Sequence, residues 1–217
     1  KRPLTKRMKN LNDISARIRE NFTAKNAARD TALERSRSLI RYCALSIRAT
    51  HRDERDEARS LLAEARKIVD AIRADLAAYP DLYHAGYTQD ALKEFAEASI
   101  VLALVADDPL PEPEALGVEY AAYLNGLGEA ASEMRRRCLD IIRHDHTVEA
   151  ERLLNAMDEI YSLLVTVDYP DAIIGGLRRT TDLVRGVTER TRGDLTMSMR
   201  QQRLQEALKM HESGSVS

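Results

Sequence analysis

Three prolines within five residues, in Asp107-Asp-Pro-Leu-Pro-Glu-Pro113, interrupt an otherwise almost unbroken helical periodicity. Proline lacks a backbone donor and clashes with the preceding turn, so no helix runs through this segment. On either side apolar residues recur at helical spacing, and no stretch alternates as a half-buried strand would. The chain is expected to fold as helices that double back at a few punctuation points. The break turns two long patterns, about 88–105 and 115–144, into an antiparallel hairpin.

The remaining elements follow the same logic. A basic leader helix is expected over about 4–23. The next, over about 27–50, carries Leu33, Leu39, Ile40, Cys43 and Ile47 on one stripe. A third, over about 53–78, places Leu61, Leu62, Ala65, Ile68, Val69 and Ile72 at core spacing and stops at Tyr79-Pro80. Pro80–Tyr87 reads as a loop, and Thr88 or Asp90 as the cap of the helix that follows. Later helices are expected over about 147–166, from Asp168-Tyr-Pro170 to about 191, and over 195–211. This is an all-α, single-domain antiparallel bundle of about seven helices spanning 1–217, with 1–9 and 212–217 as flexible ends.

Hydrophobic content of 44% and charged content of 31% across 217 residues describe one globular core, not a disordered chain. No apolar run approaches the roughly 18 residues that would cross a bilayer, and no secretory leader is evident. Cys43 and Cys138 both fall in helical patterns without a disulfide framework, which points to a reducing, cytoplasmic setting. The total charge of −2 hides a segregation: residues 1–50 hold thirteen Lys/Arg against four Asp/Glu. That segment reads either as a solvated helix surface or as a basic face for phosphates.

Within the hairpin lie two pairs of glutamates, Glu94 with Glu97 and Glu129 with Glu133. Residues three or four apart on a helix are neighbours, so each pair shares one face. Phe95, Ala96, Ala98, Ala130 and Ala131 surround them and draw that face toward a helix seam. Like charges there are costly unless a cation compensates them. Gly126 and Gly128 sit beside Glu129, and a mid-helix glycine costs about 1 kcal/mol, which a close backbone approach would offset. Four converging carboxylates would favour Mg²⁺, Mn²⁺ or Ca²⁺ over softer metals. His51, His84, His144, His146 and His211 lack zinc-site spacing, and His144-Asp-His146 reads as cap or surface residues.

These residues also resemble the translin superfamily, in particular its Trax branch, in a stand-alone form like the archaeal members. Lys93-Glu-Phe-Ala-Glu-Ala-Ser99 is similar to Trax's Gln-Glu-Tyr-Val-Glu-Ala-Val. Tyr123-Leu-Asn-Gly-Leu-Gly-Glu-Ala-Ala-Ser-Glu-Met-Arg-Arg-Arg-Cys138 resembles Tyr-Leu-x-Gly-x-x-Asp-Leu-Thr-Gly-Glu-Leu-Met-Arg-x-Cys. Ser36-Arg37, Ile47 and His51-Arg52 match a second-helix pattern shared by translin and Trax. The resemblance implies an all-helical protein assembling into a closed oligomer, an octamer in the family. It further implies that Glu94, Glu97, Glu129 and Glu133 are the catalytic, Mg²⁺-binding residues, with Mn²⁺ as an alternative ion. One departure stands out: Glu129 replaces the family's aspartate, and the extra methylene shifts that ligand.

The implied activity is a metal-dependent endoribonuclease on single-stranded RNA, with single-stranded DNA as a second substrate. Arg37 and Arg136 fall on family-matching positions and are assigned to phosphate contacts, and Arg41 and Arg48 join them from the basic stripe. A translin-like partner subunit is compatible with the sequence. Two rival readings stand beside this one: a non-catalytic single-stranded RNA/DNA binder, and a purely structural helical oligomer or adaptor.

Overall fold

A computed structural model describes Met8 and residues 10–143 and 147–214. His144 and His146 therefore lie outside the described residues. Among those described there are nine helices and no strand. Six are long: α1 (Leu11–His51), α2 (Arg55–Asp75), α4 (Gly86–Ala106), α6 (Tyr120–Ile142), α7 (Thr147–Leu164) and α9 (Leu177–Gly214). The single turns α3 (Pro80–Tyr83), α5 (Pro113–Leu116) and α8 (Asp171–Ile174) lie in the connections.

The expected breaks near 24–26 and 192–194 are absent, so α1 runs for 41 residues and α9 for 38. Ala24-Lys25-Asn26 contains no residue that forbids a helix, and Gly193 alone costs only about 1 kcal/mol, which a long helix absorbs. The opposite happens after Pro170. There Gly175 and Gly176 take φ of +54° and +79°, so the expected helix is cut into α8 and the start of α9. Asn125 of α6 holds that turn, donating to the carbonyls of Ile174 and Gly175 and accepting from the Thr180 hydroxyl. Thr88 proves not to be a cap: its buried hydroxyl donates to the Leu82 carbonyl and ties α4 to α3.

The helices pack in the order α2, α1, α4, α6, with α7 and α9 together covering the far side of α6. Leu39, Cys43 and Ile47 of α1 and Ala65, Val69 and Ile72 of α2 are buried as their stripes require. Ile40 instead stays exposed. α4 is buried on nearly every side, with Ala91, Leu92, Phe95, Ala96, Ala98, Ile100 and Val101 all in the core. A helix apolar all round belongs at the centre of a bundle. Glutamates on such a helix therefore need a local explanation.

α4 ends in a left-handed residue, Asp107, at φ +60°. Arg152 of α7 closes that end by donating to the Leu104 carbonyl and the Asp107 carboxylate. No described helix is long and apolar enough to cross a membrane.

Candidate functional site

The site forms where α6 passes α4 at very short range. A Cβ on Gly126 would stand 2.8 Å from the Lys93 carbonyl and 3.0 Å from the Glu97 backbone nitrogen, so only glycine permits this crossing. Gly126 thus meets α4 between Lys93 and Glu97, and Glu129, three residues on, is reached by the Lys93 side chain. Gly128 faces the other way, toward Leu164, Thr180 and Val184 of α7 and α9. α6 is thus pressed from both sides, and this fixes its register.

The crossing brings Glu94, Glu97 and Glu129 together, one carboxylate oxygen of each lying within 4.8 Å of the others. Glu97 is only 8% exposed, whereas Glu94 and Glu129 open to solvent along one rim. Lys93 completes the group. Its ammonium donates to Glu129 Oε1 at 2.7 Å and lies 3.8 Å from Glu94 Oε1.

Glu133, one turn further along α6, takes a separate partner. Its Oε2 meets Nε2 of His51, the last residue of α1, at 2.5 Å. The His51 side chain is almost wholly buried, and its Nδ1 has no hydrogen-bond partner. Behind it, the buried Arg137 guanidinium binds both oxygens of Asp53, Glu149 Oε1 and the His51 carbonyl. One arginine thereby ties α6 to α7 and to the turn after α1, where Asp53 sits at φ +60°.

These contacts divide the four carboxylates electrostatically. Burial, with Glu94, Glu129 and Glu133 adding like charge, pushes the Glu97 carboxyl up to about 8. Burial also raises Glu94, with Lys93 opposing and Glu129 and Asp90 reinforcing. Glu133 moves the other way: the His51 hydrogen bond holds it below the usual carboxylate range, against its own desolvation. Beneath the cluster, burial raises the Cys43 thiol, and Glu94 and Glu97 raise it further. Cys43 is inert packing here.

The donor set is all oxygen, carries surplus negative charge and faces solvent on one side. That combination fits an oxygen-preferring divalent cation that keeps several waters, as Mg²⁺ does. Glu94, Glu97 and Glu129 are the residues able to hold it, with Glu133 one turn away.

The basic residues are spread more widely. Arg136 lies 3.9 Å from Glu133 Oε2 and is more than half exposed. Arg37, Arg41 and Arg48 line one exposed stripe of α1, Arg37 and Arg48 donating to carbonyls of their own helix and Arg41 lying over Tyr42. Lys93 and the His51–Arg137 pair were not assigned roles from sequence. Lys93 sits inside the motif that drew attention to Glu94, while the His51–Glu133 contact joins residues 82 apart and has no local signal.

Known proteins share this fold. No family model matches the chain. It is 31% identical over 192 residues to an uncharacterized protein of Methanocaldococcus jannaschii, covering 88% of this chain and 85% of that one. The structure of AfC3PO in complex with duplex RNA superposes with a TM-score of 0.80 at 29% identity, covering 85% of this chain and 95% of that one. A crystal structure of AfC3PO gives 0.78 at 29% identity over 85% and 96%. Apo-NeC3PO, at 19% identity, shares the fold with a TM-score of 0.73 over 90% and 99%.

Proposed function

This chain belongs to the translin/C3PO family, and we propose that within it the protein is a Mg²⁺-dependent endoribonuclease cutting single-stranded RNA. The observation that carries the proposal is the convergence of Glu94, Glu97 and Glu129 around a buried carboxylate whose pKa stands near 8. Burial among like charges favours the protonated carboxyl, and a cation would stabilise the ionised form in the proton's place. RNA as the substrate class is supported by AfC3PO, which has been captured with duplex RNA.

In this reading Glu94, Glu97 and Glu129 hold the ion, and Glu133 joins them directly or through water. Bound Mg²⁺ supplies a water of lowered pKa and offsets the charge that gathers on phosphorus in the transition state; Mn²⁺ would serve the same role. Glu133, kept ionised by His51, accepts the proton of the attacking water through its free oxygen. Arg136 beside it holds a phosphate of the strand, and Arg37, Arg41 and Arg48 bind the backbone further along, without reading sequence. The longer side chain of Glu129, compared with the family's aspartate, is steadied by Lys93. Single-stranded DNA would bind by the same phosphate contacts.

The assembly proposed is a closed homo-oligomer, an octamer as the resemblance implies, acting in the cytoplasm. Leu11, Ile18 and Phe22 on α1 and Met197, Leu204 and Leu208 on α9 form exposed apolar stripes at seven- and four-residue spacing. Such stripes are usually covered by a partner helix. A translin-like subunit would satisfy them as well as a second copy would.

A second reading is favoured by one contact. Because Lys93 already neutralises part of the cluster, the acidic group also fits a structural role in a non-catalytic RNA binder. Labelled single-stranded and duplex RNA incubated with Mg²⁺, with EDTA, and with Glu129→Ala separates the two. Cutting that requires the metal and vanishes in a variant of unchanged oligomeric size supports the nuclease. RNA bound but uncut in every condition leaves the binder.

A further inference from the structure

We infer that Lys93 is a tethered counter-ion of the acidic cluster, holding it together without metal and displaced when a divalent ion binds. The inference rests on the metal-site reading above. Lys93 stands on α4 next to Glu94, yet its stem crosses to α6 and its ammonium reaches Glu129 Oε1 at 2.7 Å while staying 3.8 Å from Glu94 Oε1. It therefore bridges the two helices whose carboxylates make the site. The contact is half-buried, Lys93 being 22% exposed and Glu129 31%, so bulk water screens it only in part.

An ion shared by Glu129 and Glu94 would occupy the side of the cluster where this ammonium sits. Two positive centres a few ångströms apart in a groove of reduced dielectric repel strongly, so both cannot hold the same oxygens. The buried Glu97, the innermost of the three, has no hydrogen bond from Lys93 or from any other described side chain. The bridge thus compensates the rim of the cluster and leaves its innermost carboxylate without a direct cationic partner among the described residues. Metal binding is then an exchange in which Lys93 leaves the carboxylates and swings toward solvent, where an RNA phosphate is its natural partner. The cost of that exchange sets the metal affinity.

The test is calorimetric titration of the full chain with Mn²⁺ and with Mg²⁺, comparing wild type with Lys93→Gln and Lys93→Arg. Melting of each in EDTA and in saturating metal accompanies it. Breaking a charge-assisted hydrogen bond before binding should weaken affinity about tenfold, so Lys93→Gln should bind about tenfold tighter than wild type. Lys93→Arg keeps the charge and should bind like wild type. Lys93→Gln should also melt below wild type in EDTA, with the gap closing in metal. Equal or weaker binding by Lys93→Gln, beside measurable binding by wild type, overturns the counter-ion and leaves the metal site standing. An unchanged melting point in EDTA overturns it equally. Absence of binding in both proteins sinks the metal reading and this inference with it.

Discussion

Replacing Glu97 by glutamine removes a buried charge while keeping the shape of the side chain, and its effect on stability should depend on pH in a fixed direction. In the folded, metal-free chain the Glu97 carboxyl titrates near 8, against 4.5 for the ordinary group. Between those values the folded state holds a proton that the unfolded chain has released. Stability is therefore fully present below about pH 4.5 and is lost as pH rises toward 8. At about 1.36 kcal/mol per pKa unit, a difference of about 3.5 corresponds to on the order of 4–5 kcal/mol. The open rim lets water and Lys93 relax around the charge, which brings the expected loss between pH 5 and pH 9 to about 2–4 kcal/mol. Burying the glutamine amide costs about 1–3 kcal/mol, but equally at every pH, so it does not alter the slope. Glu133 has the opposite sign: its lowered carboxyl stabilises the fold above about 4.5 and loses that contribution only in more acidic solution, outside the window. Urea unfolding in EDTA at pH 5, 7 and 9 measures all of this through the midpoint at constant m-value. Wild type should weaken steadily, and Glu97→Gln should show a clearly shallower slope, the remainder coming from Glu94, whose carboxyl burial also raises. Mg²⁺ should flatten wild type by taking the proton's place. A wild type that is flat in EDTA, or a variant that keeps the wild-type slope, would refute the reasoning.

Gly126→Ala should destabilise the fold by about 1–3 kcal/mol despite its better helix propensity, because the new Cβ meets backbone. It should also weaken Mn²⁺ binding at least tenfold in a calorimetric titration, by forcing α4 and α6 apart. Gly128→Ala presses on Thr180 instead, so chemical denaturation should show lost stability while titration shows metal affinity little changed. Arg137→Met strips Asp53 and Glu149 of their buried partner and should cost about 2–3 kcal/mol in urea melts, a value moderated by water reaching both carboxylates. His51→Ala removes the donor that holds Glu133 down, so the acidic limb of any RNA-cleavage pH profile should move to higher pH. An unmoved limb would exclude Glu133 as the base.

The sequence was most legible where local rules act alone. Three prolines dictated the turn between α4 and α6, and i,i+3 spacing alone put Glu94 and Glu97 on one face. It was least legible where the outcome depends on what lies across a seam. Glu129 and Glu133 also share a face by spacing, yet Glu129 turns to Lys93 and Glu133 to His51, because α1 ends beside the second and not the first. Likewise the boundary expected near 24–26 is carried straight through by α1, whereas Gly175-Gly176, inside the helix expected to run to about 191, stops it through positive φ.

The glycines at 126 and 128 connect these observations. A glycine in a helix destabilises it, so two within three residues would be a liability in an isolated α6. In the bundle each opens a passage on a different side, one for the α4 backbone and one for α9, and the helix between them loses the freedom to rotate. Glu129 follows Gly126 by three residues and is aimed back at α4 by that register, so the same glycine that permits the crossing also orients the carboxylate beside it. The acidic cluster is then a consequence of close packing: Glu94, Glu97 and Glu129 sit on helices held too near for their carboxylates to part, while Glu133, one turn further on, reaches His51. The fold keeps their mutual repulsion in check with Lys93, which holds Glu129 and lies beside Glu94, and with His51, which holds Glu133. Glu97 is the one left without such a partner, and it is the carboxylate a cation would stabilise most.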